Sequence, residues 1–296
     1  MEHIVDTFAN GVKNLTKNPV LFVPPILLVI LAIIIAAPAI IIAAGPINST
    51  AGFNMTIVAV SVIAFILLLL LGAFYSAGQI GMIKEAIEKG KTRMSDFFSY
   101  GRKYTIRMFL AEIILLILNG LALLFWIPLY NAYVKSGLTL NFIFDSFNDF
   151  MLSGNIEPFM EIINIFAVSL SIGLLLTTIY YLILKVLFYF VGYVIVIDDL
   201  PVIAAFKKSL SLLKQYPRKV IIFIITVNVL VMAILQIAET FWAILIFNMF
   251  LFIIGALPYL LVELFVNIAA LVWTARFYMV ITEKELYVEE KLTDSC

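Results

Sequence analysis

The stretch PVLFVPPILLVILAIIIAAPAIIIAAG at 19–45 contains no charged side chain. An apolar run of about 20 residues crosses the ~30 Å hydrocarbon core of a bilayer as a helix. Lipid offers nothing for an open backbone to bond with, so a spanning run has to satisfy its own amides and carbonyls. TIVAVSVIAFILLLLLGAF at 56–74 meets the same condition. Composition agrees, because 64% of the 296 residues are hydrophobic and only 13% are charged. That is about half the roughly 25% charged share of soluble domains. A water-soluble domain is excluded, and an all-α polytopic membrane bundle is predicted. The first run exceeds the roughly 7–15 residues of a secretory signal core, so it is read as a retained helix.

Six spans are predicted, at about 19–44, 56–83, 107–130, 162–197, 219–240 and 255–281. Basic residues orient them. Lys13 and Lys17 precede the first span, and Lys84, Lys89, Lys91, Arg93, Arg102, Lys103 and Arg107 stand between the second and third. Lys207, Lys208, Lys214, Arg218 and Lys219 separate the fourth from the fifth, while Arg276, Lys284 and Lys291 end or follow the sixth. Seventeen of the nineteen Lys and Arg thus fall on one side, the bias that marks a cytoplasmic face. The opposite segments hold Asp145, Asp149, Glu157, Glu161, Glu239 and only Lys135. A multi-pass cell-membrane protein with both termini cytoplasmic is expected, its membrane domain at 1–282 and a short charged tail at 283–296. Sequons begin at Asn48 and Asn54 on the outer side, but a third at Asn14 on the inner side strips the pattern of weight. Residues 241–253 lack a polar loop and are expected to form a short interfacial segment with Trp242 near the outer headgroups. Pro24, Pro25, Pro38 and Pro258 are expected to bend or interrupt the first and last helices.

The inner loops carry a plan of their own. DLPVIAAFKKSLSLLKQYPRKVIIF at 199–223 opens with Asp199 as the expected N-cap and Pro201 in the first turn. Apolar Val202, Ala205, Phe206, Leu210 and Leu213 alternate with Lys207, Lys208 and Lys214, the pattern of an amphipathic helix lying at the inner headgroups. HIVDTFANGVKNLTKNPVLFVPP at 3–25 matches it, with Phe8 eleven residues before Pro19 as Phe206 stands eleven before Pro217. SDFFSYGRKYTIRMF at 95–109 offers a third version without the proline. Three parallel units are expected, each an inner surface helix followed by two membrane helices. The alternative is that inner loops are commonly basic and amphipathic. Six helices, the segment AFKKSLSLLKQYP and the preceding YVIVIDD resemble a loose group of prokaryotic membrane proteins. That group includes the membrane region attached to some bacterial glycerophosphodiester phosphodiesterases, and archaeal relatives of unknown function. The resemblance implies a six-helix bundle and no activity, since the phosphodiesterase catalytic domain has no counterpart here.

No motif names a reaction. His3 is the sole histidine and Cys296 the sole cysteine, so neither a disulfide nor a structural zinc site can form within the chain. Metalloprotease, nucleophile-elbow and P-loop motifs are absent. No enzyme activity, metal, cofactor or nucleic-acid partner is expected. Asp198–Asp199 could hold a cation, but helix capping is the favoured reading. Ala73, Ala77 and Gly81 form a small-residue ridge for close helix packing.

Polar residues inside the spans are the better leads: Glu112, Asn119, Lys185, Asn228, Gln236, Glu263 and Asn267. Charges at membrane depth cost about 2.5–3.5 kcal/mol or more and usually pair. Lys185 lies thirteen residues before Asp198, and Glu263 thirteen before Arg276, so the two share a depth. A Lys185–Glu263 pair is expected, against a lysine that snorkels to the inner interface or couples to a substrate. The expected function is a scaffold or lipid-interacting protein whose inner face meets anionic headgroups through Lys13, Lys17, Arg102, Lys103, Arg107, Lys207, Lys208, Lys214, Arg218 and Lys219. The alternative is a transporter with a polar site near Lys185 and Glu263.

Overall fold

A computed structural model describes residues 4–44, 55–137, 140–154, 156–244, 249–284 and 286. Every regular element among these residues is helical. The helices are α1 (Ile4–Lys17), α2 (Val23–Ala44), α3 (Met55–Lys89), α4 (Met94–Gly120), α5 (Ile127–Ser136) and α6 (Leu140–Ser153). They continue with α7 (Glu157–Leu187), α8 (Val191–Ile197), α9 (Val202–Gln215), α10 (Pro217–Ile244) and α11 (Met249–Ile281). Short 3₁₀ turns, Pro19–Phe22 and Leu121–Trp126, lead into α2 and α5. Among the described residues, five stretches are long and apolar enough to cross a membrane, at 58–89, 94–136, 166–197, 217–242 and 258–281. A sixth is reached when Ile4–Lys17 and Pro19–Ile35, which meet at 89°, are taken as one bent pair.

Several expected boundaries move. The third predicted span, 107–130, belongs to a helix that starts at Met94, because nothing in 94–106 breaks it and Asp96 caps its first turn through the Arg93 amide. The stretch 95–109 is therefore the opening of α4 and not a separate surface helix. The fourth expected span, 162–197, corresponds to the stretch 166–197 and contains a break, since α7 ends at Leu187 and α8 begins at Val191. The described parts of 241–253, expected as an interfacial segment, belong to two longer helices. Lacking Gly and Pro, 241–244 complete α10 and 249–253 open α11, with 245–248 outside the described residues. Trp242 stacks on Tyr259, ring centroids 5.2 Å apart. Helix α2 runs through Pro38 and α11 through Pro258. The sequons at Asn48 and Asn54, and the tail beyond Lys284 apart from Leu286, lie outside the described residues.

Packing divides the chain into two units, Met1–Glu112 with Phe190–Cys296, and Ile113–Tyr189. The first is asymmetric along its helices. On the shafts of α2, α3 and α10, side chains such as Ile33, Ile63 and Met232 are 63%, 58% and 67% exposed. Toward the other end the same unit closes into a core. Ala73, Ala77, Ile80, Met82, Ile83, Ala86 and Ile87 of α3 are buried, as are Ile268, Val272, Ala275, Phe277, Tyr278 and Met279 of α11. Two central helices buried on nearly all sides demand small residues at the crossings. A Cβ on Gly81 would stand 2.1 Å from Tyr100 Cγ, and one on Gly78 would stand 2.7 Å from the Phe97 carbonyl oxygen. Bare backbone at these two positions lets α3 lie against α4, the logic of small-residue helix contacts.

Helix α1 covers this core from the side. It buries Thr7, Gly11 and Leu15, at a spacing of four that puts them on one face. Trp273 lies against that face; its indole Nε1 donates to the Phe8 carbonyl at 3.1 Å, and its ring meets Phe8 edge-on at 4.9 Å. Helix α9 buries Ala205, Phe206, Ser209 and Leu212, sharing Ala205 and Phe206 with the expected apolar series, while Val202, Leu210 and Leu213 are half-buried. Within the second unit, Phe125 meets Tyr180 edge-on at 5.6 Å, and Tyr180 Oη donates to the Leu118 carbonyl at 2.7 Å.

Candidate functional site

The polar chemistry of the first unit gathers at one end, where α3 turns into α4, α8 into α9, and α1 into α2. Asp198 and Asp199 form its ionic knot. Asp198 is 5% exposed, and its carboxylate accepts from Tyr278 Oη and lies 2.5 Å from Lys208 Nζ and 2.9 Å from Lys284 Nζ. Asp199 meets Arg107 at 2.6 Å and Lys103 at 2.9 Å. Lys84 donates to the Ile197 carbonyl at 3.3 Å. Two adjacent carboxylates thereby tie α4, α9 and α11 to the α8–α9 loop. Asp199 holds a φ of 56°, a left-handed conformation that Asp tolerates better than most residues.

These contacts correct the capping expectation. The residue ahead of α9 is Pro201, with no side-chain cap. Leu200 and Pro201 separate Asp199 from the helix, and a carboxylate offered two cations makes charge-assisted bonds roughly twice as strong as neutral ones. Burial alone would raise the Asp198 carboxyl, but hydrogen bonds from Lys208, Tyr278 and Lys284 outweigh it and hold it below the ordinary carboxylate value. Hydrogen bonds from Lys103 and Arg107 lower Asp199 in the same way.

The first unit also holds a cavity of about 640 Å³, bounded by the end of α1 and the α3–α4 turn and lined by Lys17, Glu85, Lys89, Lys91, Arg93 and Asp96 among others. Its walls are fixed from beneath by Asn18, which is 3% exposed. Asn18 Oδ1 accepts from the Thr92 amide at 3.0 Å, and its Nδ2 donates to the carbonyls of Asn14 at 2.9 Å and Gly90 at 3.3 Å. Gly90, at φ 75°, ends α3 in the left-handed conformation that releases the chain toward α4. Sequence reading missed Asn18; the Asn–Pro dipeptide, a turn signal, was the available clue.

The second unit has its own cavity, about 670 Å³, lined by Leu115, Asn119, Tyr181, Leu184, Lys185, Phe188 and Tyr189. Lys185 is exposed there, among aromatic and aliphatic walls. Glu263 is half-buried on α11 of the first unit, so the expected pair would join residues of different units. Asn228 donates to the Ile224 carbonyl at 2.6 Å, a bond within its own helix.

Of the ten basic residues expected to meet lipid, Lys103, Arg107 and Lys208 belong to the knot. Lys103 also lies 4.7 Å from the Tyr104 ring centre, and Lys219 5.8 Å from that of Tyr216. Lys13, Lys17, Arg102, Lys207, Lys214 and Arg218 are exposed. Among the described residues, no three His, Cys, Asp or Glu side chains converge in a metal-holding group.

In comparison with known proteins, the family model described as Domain of unknown function (DUF7847) matches residues 3–282. No curated protein and no solved structure matches. Nothing found links the chain to the glycerophosphodiester phosphodiesterases.

Proposed function

The chain belongs to that family of unknown function, and we propose a non-enzymatic multi-pass protein of the cell membrane whose basic end binds anionic lipid headgroups on the cytoplasmic side. In this reading six helices span, with α1 and α2 as one bent pair, and both termini are cytoplasmic. Helices α1 and α9 are basic in-plane helices of one repeated plan: each stops two residues before a proline, Pro19 or Pro217, from which a membrane helix departs. The third copy is fused to its span as the opening of α4. The protein acts as a scaffold or lipid-handling element.

One observation carries the reading. The first unit exposes apolar side chains along its shafts and concentrates its lysines and arginines at the packed end. Such a surface fits a bilayer whose anionic leaflet attracts each nearby basic residue by about 1 kcal/mol. The test is the melting temperature in detergent micelles doped with phosphatidylglycerol or with phosphatidylcholine. Phosphatidylglycerol is expected to raise it more, with an advantage that shrinks in high salt. Equal shifts from the two lipids at low salt overturn the proposal.

The cavity at Lys185 and Asn119 favours a second reading, transport of a polar solute past Lys185. A Lys185→Cys variant of the Cys296→Ser protein distinguishes the two. Reaction with a small water-soluble thiol reagent from both sides of the membrane supports transport, and silence removes it.

A further inference from the structure

We propose that the cavity between the end of α1 and the α3–α4 turn is a discrete site for the phosphate of one lipid headgroup, a more specific assignment that rests on the anionic-lipid reading above. Four cations line the cavity, Lys17, Lys89, Lys91 and Arg93, against two carboxylates, Glu85 and Asp96. Both carboxylates are already engaged. Glu85 pairs with Lys89 at 2.5 Å and accepts from Tyr100 Oη at 2.7 Å. Asp96 accepts from the Arg93 amide at 2.8 Å and from Thr92 Oγ1 at 3.1 Å. Four cations against two carboxylates leave an excess of two positive charges, which Lys91 and Arg93 present. Both side chains are exposed, and no described residue forms an ion pair with either.

Geometry turns this excess into a site instead of a diffuse patch. Lys91 and Arg93 flank Thr92, whose amide is bonded to the buried Asn18 side chain, so the backbone that carries both cations is held in place before any ligand arrives. Pre-organisation lowers the ordering cost of binding. An arginine fork and neighbouring lysines are the groups that recognise phosphate oxygens, the first by paired hydrogen bonds and the second as point charges. Position selects the source of the phosphate. The cavity lies at the 89° corner where α1 meets the first apolar run, the level at which an in-plane helix and a span both meet headgroups.

The test is native mass spectrometry of the detergent-released full chain titrated with phosphatidate, phosphatidylcholine or glycerol 3-phosphate. One tightly held phosphatidate per chain is expected, with phosphatidylcholine weaker. Lys91→Ala with Arg93→Ala should weaken that first phosphatidate about tenfold or more, because charge-assisted bonds are lost. The control, Lys207→Ala with Lys214→Ala, removes two exposed cations of α9 that do not line the cavity and should weaken that first phosphatidate clearly less than the Lys91/Arg93 double does. Both doubles replace exposed side chains, and wild-type melting temperatures are expected; Lys91→Gln alone should show a smaller loss in the same direction. Equal losses in the two doubles overturn the site and leave the anionic-lipid reading standing. Wild-type protein that ranks phosphatidate with phosphatidylcholine overturns both. Glycerol 3-phosphate displacing the bound phosphatidate at equal concentration overturns the lipid assignment in favour of a soluble phosphate.

Discussion

Asp198 gathers a hydroxyl and two ammonium groups, from α9, α11 and the segment after α11, around one nearly buried carboxylate. Asp198→Asn keeps the shape and removes the charge. Losing a partner from a fully buried pair costs about 3–5 kcal/mol, but Lys208 and Lys284 remain 35% and 38% exposed and can rehydrate. A loss nearer 2 kcal/mol is therefore expected, read as a lowered melting temperature in detergent. The pH dependence has a definite sign. Because the folded carboxyls of Asp198 and Asp199 lie below their ordinary value, their stabilisation is complete above the unfolded pKa of about 3.9 and is lost as pH falls through the folded values. The wild-type melting temperature should fall with acidification below about pH 5, and the Asn variant should fall less. An unchanged slope in the variant contradicts the knot. At this scale the sequence was partly legible. The adjacent aspartates stood out, but their partners come from α4, α9 and α11, and no local pattern names residues so distant in the chain. Lys185 stood out too, as a cation among apolar neighbours, while the aromatic cavity around it depends on how α7 meets α4.

Helix types were more legible than helix ends, because apolar length identifies a span while its limits depend on capping. The start of α4 at Met94 rests on Asp96 bonding the Arg93 amide, a contact the hydropathy of 107–130 does not register. Helix α6 went unforeseen because Asp and Asn in its sequence, LNFIFDSFNDFMLS, read as loop. The small-residue ridge was foreseen as Ala73, Ala77 and Gly81, and the first two are wholly buried. Glycines of the same helix separate packing from propensity. A Cβ at Gly81 meets Tyr100 at 2.1 Å, whereas one at Gly72 meets nothing within 4 Å. Gly81→Ala must push α4 away and should cost about 1–3 kcal/mol. Gly72→Ala should be neutral or stabilise by up to about 1 kcal/mol, through helix propensity alone. Thermal unfolding of the two variants in one detergent checks the contrast, and equal behaviour would mean that α3 and α4 do not approach closely there.

At the scale of the molecule, the core and the charge share one end of the first unit, and this links folding to orientation. Ordinary membrane bundles pack along the whole shaft, but here the shafts of α2, α3 and α10 present apolar side chains outward while α3 and α11 bury themselves beside the knot. The end that holds the fold together is thus also the end bearing Lys17, Lys91, Lys207 and Lys214. Lysine and arginine near span ends resist translocation, so a bundle whose tight end is basic should enter the membrane in one orientation. In the Cys296→Ser background, a cysteine at the exposed position 145 should react with an impermeant thiol reagent on intact cells. A cysteine at the exposed position 214 should react only after permeabilisation. Neutralising Lys207, Lys208, Lys214, Arg218 and Lys219 together weakens the bias at the loop before α10 and should yield a mixed population, visible as partial labelling at both sites. If instead position 214 reacts on intact cells in the otherwise unaltered chain, the basic end faces outward, and the charge asymmetry has some cause other than orientation.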